Sequence, residues 1–270
     1  MHTTIKKGAA LALTLLLLAG GAGCAKGQRP PEMPEGGAPG GDIPGMNGQL
    51  PEENGQVPGI SYSKVEEVSI DIPNEAVSTG ARIDGATLIE FEDASAAVTP
   101  ENAGVTVENG IVTLTKAGSY LLRGAFEGQL RVNTADEEEV TLYLDGLQIV
   151  SPDSAALYVL SAPKRVTIST LSGSKNILKD GDSYLLAEGS DEPSAALFSK
   201  EDLTLEGAGS LYVSSKNAKG IYSKDDLKIK SGSIFVTSGD DGIRGKDSLT
   251  VTGGQITLSS GTDGLKTSND

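Results

Sequence analysis

The sequence has no tryptophan, four phenylalanines, one histidine and one cysteine in 270 residues. Each scarcity excludes something. The single histidine is His2, at the extreme N-terminus, so once a leader is removed neither imidazole catalysis nor an imidazole metal site is open to the chain. One cysteine cannot form an internal disulfide, so covalent cross-links do not hold the fold together. Beyond the first twenty residues, no stretch is apolar enough for a transmembrane helix. Positive charge is also short: 22 Lys and Arg stand against 37 Asp and Glu, a formal charge of −15. Losing Lys6 and Lys7 with the leader takes this to −17, which argues against nucleic acid or anionic lipid as the main ligand.

The leader has three parts: Lys6 and Lys7, an apolar stretch from Ala9 to Ala19, and the small residues Gly21-Ala22-Gly23 before Cys24. That is a secretory signal, and a thiol at its processing site is where a bacterial lipoprotein receives its lipid. Residues 1–23 are therefore expected to be a lipoprotein signal, and Cys24 the anchor of an extracytoplasmic, membrane-attached surface protein. The alternative is an ordinary secretory signal with an incidental cysteine. Residues 25–60 then hold seven of the twelve prolines and nine glycines. Such a segment cannot bury enough apolar surface to offset its ordering entropy, so residues 24–60 read as a disordered tether.

Downstream, three segments align: SAALFSKEDLTLEGAGSLYVSSKN from Ser194, GIYSKDDLKIKSGSIFVTSGDD from Gly220, and GIRGKDSLTVTGGQITLSSGTD from Gly242; a fourth copy, GLKTSND, starts at Gly264. Gly220, Gly242 and Gly264 recur every 22 residues. Aliphatic positions stay in register: Leu197, Ile221, Ile243 and Leu265; then Leu203, Leu227 and Leu249 beside Leu205, Ile229 and Val251; then Leu211, Ile234 and Ile256 beside Val213, Val236 and Leu258. The intervening residues are polar or aromatic, the period of a strand with one buried face. No single repeat could bury its apolar face, whereas stacked repeats could. The expected fold is all-β, a right-handed parallel β-helix over residues 136–270, with residues 61–135 as an irregular β-rich segment or cap. An antiparallel sandwich is the rival, but it would not require residue types to recur at a fixed offset. SAALYVLSAPKRVTIS from Ser154 continues the pattern upstream, with a loop expected to bulge between Lys179 and Pro193. Val140 to Val150 reads as two strands around Asp145-Gly146, and Asn109-Gly110 as a hairpin turn.

The segments AALFSKEDLTLEG, KGIYSKDDLKIKSG, DGIRGKDSLTV and TDGLKTSND resemble a family of bacterial surface proteins called carbohydrate-binding domain-containing proteins. The resemblance spans about residues 100–270. It implies a pectate-lyase-like parallel β-helix without general catalytic activity, associated with calcium and with acidic, pectin-type polysaccharide. The family pattern usually runs on past a segment like GLKTSND, so the last coil is expected to be open, a face for a protein partner.

Stacking would set outward residues in files. One reads Tyr158, Phe198, Tyr222, Arg244 and Lys266, with Lys200, Lys224 and Lys246 two residues on. Rings beside cations suit an acidic glycan, so Tyr158, Phe198, Tyr222, Arg244, Lys246 and Lys266 are candidate carbohydrate contacts. Equally, aromatic files can simply stabilise coils, and the lysines can neutralise adjacent acids. At the corner before each repeat, Asp240, Asp241 and Asp263 sit among glycines. Clustered hard oxygens there suit Ca²⁺, although Asp and Gly are also ordinary turn residues. A lyase would need Arg244 or Lys246 as its base, and neither lies in an irregular pocket. The expected function is a non-catalytic carbohydrate-binding module; the alternatives are a structural or adhesive surface protein and, less favoured, a polysaccharide lyase.

Overall fold

The computed structural model describes residues 69–268 except Asn102, together with the strand Leu11–Leu16. Cys24 and the Pro/Gly-rich segment 24–60 lie outside the described residues, as does the leader apart from that strand. Leu11–Leu16 pairs antiparallel with Gln255–Ser260.

The described residues form strands and no helix. The reason lies in the alternation: runs of four to six residues with every second one aliphatic can bury one face only as strands. Each turn of the chain gives one short strand to each of three parallel ladders. One ladder comprises Val166–Thr170, Leu203–Gly207, Asp226–Ile229 and Ser248–Val251. Another comprises Lys175–Lys179, Ser210–Ser214, Ser233–Ser238 and Gln255–Ser260. The third runs through Ile111–Leu114, Gln129–Asn133, Leu157–Ser161, Ala195–Ser199, Lys219–Ser223, Ile243–Gly245 and Leu265–Thr267.

Register is as the repeat requires. Leu157, Leu197, Ile221, Ile243 and Leu265 pair rung to rung, as do Leu203, Leu227 and Leu249 and likewise Val213, Val236 and Leu258. These side chains belong to one continuous apolar interior, in which Ile221, Leu227, Val236 and Ile243 are fully buried. Burying each such side chain contributes about 1.5–3 kcal/mol. A one-residue slip would turn the whole set outward, so the interior fixes the register.

The early turns are less regular. Thr87–Asp93 pairs antiparallel with Ser95–Thr99, and Val105–Glu108 with Ile111–Leu114, before their chains join the parallel ladders. The second hairpin turns at Asn109-Gly110, where both residues have positive φ (51° and 72°), the geometry a tight hairpin asks for. Of the stretch expected as an irregular β-rich segment or cap, Thr87–Asp93, Ile111–Leu114 and Gln129–Asn133 pair in parallel with later strands. One expectation is corrected: Val140–Val150 is a single strand. It pairs with Val166–Thr170 through its first half and with Lys175–Lys179 through its second, so Asp145-Gly146 is a bend joining two ladders.

Buried polar groups hold that bend. The N–H groups of Gly146 and Leu147 both donate to Asn176 Oδ1 at 2.9 Å, and Asn176 Nδ2 donates to the Ser210 carbonyl of the next turn at 3.1 Å. Asp145, wholly buried, accepts from Ser78 Oγ (2.9 Å), Thr79 N–H (2.8 Å), Thr79 Oγ1 (2.7 Å) and Ala81 N–H (3.1 Å). Burial pushes its carboxyl up, but the hydrogen bonds from Thr79, Ser78 and Ala81 outweigh it and hold the group below the ordinary aspartate range. Residues 78–81 are thereby pinned to the stack.

Candidate binding surfaces

The third ladder carries the side chains first suspected of touching sugar. Arg131, Tyr158, Phe198, Tyr222, Arg244 and Lys266 occupy matched positions on successive rungs. The rings pack edge to face, Tyr158 on Phe198 and Phe198 on Tyr222, with centroids 5.5 Å apart in each pair. Arginines close the file at both ends: Arg131 lies 5.8 Å from the Tyr158 centroid and Arg244 lies 5.2 Å from that of Tyr222. The file is not an open platform. Phe198 is fully buried, Tyr158 and Tyr222 are 8% and 9% exposed, and with Ala155 and Ala195 they make a second apolar cluster. Alternation correctly puts these rings opposite the main core, but opposite the core is not the same as in water.

The long segment between Lys179 and Ala195, the expected bulge, contains no strand and reaches the lysines beside the file. Its Glu192 receives Lys224 and lies 3.4 Å from Lys200 Nζ. The hydrogen bond that Lys224 donates to Glu192 raises the pKa of Lys224. Tyr184 anchors the same segment by donating to the buried Asp180 Oδ2 at 2.7 Å.

The remaining cations of the file are also occupied. Arg244 Nη2 donates to Ser268 Oγ at 2.9 Å and Nη1 lies 3.4 Å from Asp241 Oδ2. Lys266 bridges Asp263 (2.8 Å) and Asp241 (3.5 Å), and Lys246 lies 3.9 Å from Asp247. A surface of paired charges offers little to a uronate carboxylate.

At the Asp corner the carboxylates are likewise paired. Asp241 is almost wholly buried and meets Thr262 Oγ1 (2.7 Å), Arg244 and Lys266; Asp240 meets Lys219 Nζ at 2.7 Å. Asp263 points outward, its side chain 58% exposed. The carbonyls of Asp241 and Asp263 accept from the Gly220 and Gly242 N–H groups of neighbouring turns, so they do not turn inward as ligands. Among the described residues no three acidic side chains gather at metal-binding distance. As arranged, Asp240, Asp241 and Asp263 do not fit a calcium ion, because each carboxylate already has a cation and the turn carbonyls are spent on the ladder.

Two features escaped the sequence reading. Tyr212 and Phe235, on the outer face of adjacent rungs, stack with centroids 4.6 Å apart and planes 9° from parallel. Each is a lone aromatic between two inward aliphatics, a signal that could have been read. The other is a cavity of about 300 Å³ against the Arg131 end of the aromatic file. Its lining comes from four stretches of chain, around 109–111, 127–131, 151–154 and Leu185, and no motif announces it.

An all-β stack of parallel rungs with a solvent-facing cavity is a familiar frame for holding extended chains. Residues 108–270 match the family described as carbohydrate-binding domain-containing protein, and the chain belongs to that family. A relative of the same description from Acetivibrio thermocellus is 37% identical over 135 residues, covering 49% of this chain and 47% of the relative. The chain thus spans about half the length of that curated relative. A solved structure titled as the polysaccharide lyase-like protein from C. thermocellum, gadolinium derivative, superposes with a TM-score of 0.58 at 26% identity, over 68% of this chain and 95% of that one.

Proposed function

We propose that the chain is a non-catalytic polysaccharide-binding module, a right-handed parallel β-helix carried on a lipid anchor at Cys24 and a tether of residues 24–60 at a bacterial cell surface. The observation that carries this reading is the family match over residues 108–270, which takes in every turn of the three ladders from the second hairpin onward. A rigid column presenting a long, regular flank suits a linear polymer. Absence of catalysis is supported by the state of its would-be bases: Arg244 is held by Asp241, Ser268 and the Tyr222 ring, and Lys246 sits on an open rung beside Asp247. An acidic, calcium-dependent mode of binding is not part of this proposal, since Arg244, Lys246 and Lys266 each lie beside a carboxylate and the Asp corner as arranged does not fit the ion.

The test uses the full chain with Cys24→Ser, to keep it free of lipid. Retention on insoluble neutral polysaccharides and on immobilised polygalacturonate is measured with and without chelator, while ultraviolet absorbance follows unsaturated product. The expected result is retention that ignores chelator and yields no product. Failure to bind any polysaccharide overturns the reading, and product formation makes the protein a lyase.

A further inference from the structure

The cavity beside Arg131 combines features that the paired charges elsewhere lack. Arg131 is held by a neutral group: its Nε and Nη2 donate to Gln129 Oε1 at 3.1 and 2.7 Å, and it meets no carboxylate among the described residues. Gln129 is itself fixed, nearly buried, donating to Ser154 Oγ (2.9 Å) and the Ala155 carbonyl (3.0 Å). With the Tyr158 ring behind it, the guanidinium is oriented before any ligand arrives, and its charge is not spent on an acid. Glu127, Asp153, Ser151 and Asn109 line the same cavity.

The apolar element is Leu185, 77% exposed. It is not a loose loop tip. Its N–H donates to the Asp153 carbonyl at 2.8 Å, and the preceding Tyr184 is tied to Asp180. A large aliphatic side chain posted in water by its backbone, on the rim of a polar cavity, is a contact waiting for an apolar surface.

Resting on the carbohydrate-binding reading, we infer that this cavity is a subsite for one neutral pyranose of a polysaccharide. A pyranose has what the lining asks for: vicinal hydroxyls that donate to Glu127 and Asp153 while accepting from Arg131, and a C–H face to lie against Leu185 and Pro152. Two carboxylates against one guanidinium leave the lining net negative, so a neutral sugar is preferred to a uronate. At about 300 Å³ the cavity is at the small end of ligand sites, room for one ring with the chain continuing along the stack.

The experiment is isothermal titration of the full Cys24→Ser chain with cellohexaose, mannohexaose and hexagalacturonate, repeated on Leu185→Asp and Asp153→Asn. Leu185 is too exposed for its replacement to disturb folding, and superimposable melting curves verify this. The expected result is binding of a neutral hexaose that each substitution weakens at least tenfold. Three outcomes overturn the inference: affinity unchanged in both variants, no neutral hexaose bound by the unaltered chain, or tighter binding of hexagalacturonate that Asp153→Asn strengthens. Retention on insoluble polysaccharide judges the carbohydrate-binding reading independently of all three.

Discussion

The two halves of the described stack follow one plan and differ in what is added to it. From Ser194 on, the turns follow one another closely, Lys219 and Lys230 pair with acids across rungs, and Phe198 and Tyr222 are buried. Before Ser194 the chain adds two hairpins, a bent double-length strand and the long segment around Tyr184 and Leu185. The cavity lies there. Regular repetition stacks like groups rung on rung and so builds a strut; a site forms where repetition is interrupted and groups from several turns are left facing one another.

That contrast can be broken by experiment. The largest effect is expected from Phe198→Ala in the sealed file. Removing a fully buried ring should cost about 3–5 kcal/mol in chemical denaturation while leaving polysaccharide retention intact below the lowered melting temperature. Loss of retention without loss of stability would return the file to the binding surface. Ile243→Ala, also fully buried, should cost about 2–5 kcal/mol and likewise spare retention.

In the early half, Asp145→Ala removes the acceptor of four hydrogen bonds, and should cost about 1–3 kcal/mol. Hydrogen exchange should show residues 76–81 loosening before the ladders do. The same group predicts a pH dependence. Its folded pKa lies below that of an unfolded aspartate, about 3.9. Its contribution is therefore complete above that value and lost as pH falls through the lower folded pKa, and Asp145→Asn should flatten that part of the acid limb. The smallest effect is expected from chelator, which should leave the melting temperature unchanged. A clear fall would show that the Asp240–Asp241–Asp263 corner rearranges around a cation.

The ladders were legible in the sequence because a column of stacked turns writes its register into a fixed 22-residue offset. Ile221, Ile243 and Leu265 could be placed on one file before any coordinates. Burial of Phe198 was not legible, since alternation separates core from non-core and is silent on the second apolar cluster that Phe198 forms with Ala155, Tyr158, Ala195 and Tyr222. Asp145 reads as a turn residue because Asp-Gly usually is one; its partners Ser78 and Thr79 are more than sixty positions away and carry no pattern. The acids at 240, 241 and 263 are candidate ligands by composition and equally ordinary turn residues. The cations that neutralise them, Lys219, Arg244 and Lys266, were visible too, but only geometry shows which charges meet.

The direction of the ladder hydrogen bonds has a mechanical consequence. In all three ladders they run from turn to turn, along the long axis of the column. Tension applied along that axis would load the interfaces between turns in series, so that the weakest parts first and the rest peel one at a time. Tension across the column would load a turn's strands in shear against both neighbours together. The direction of an applied load would therefore decide whether the column yields gradually or holds until it fails at once.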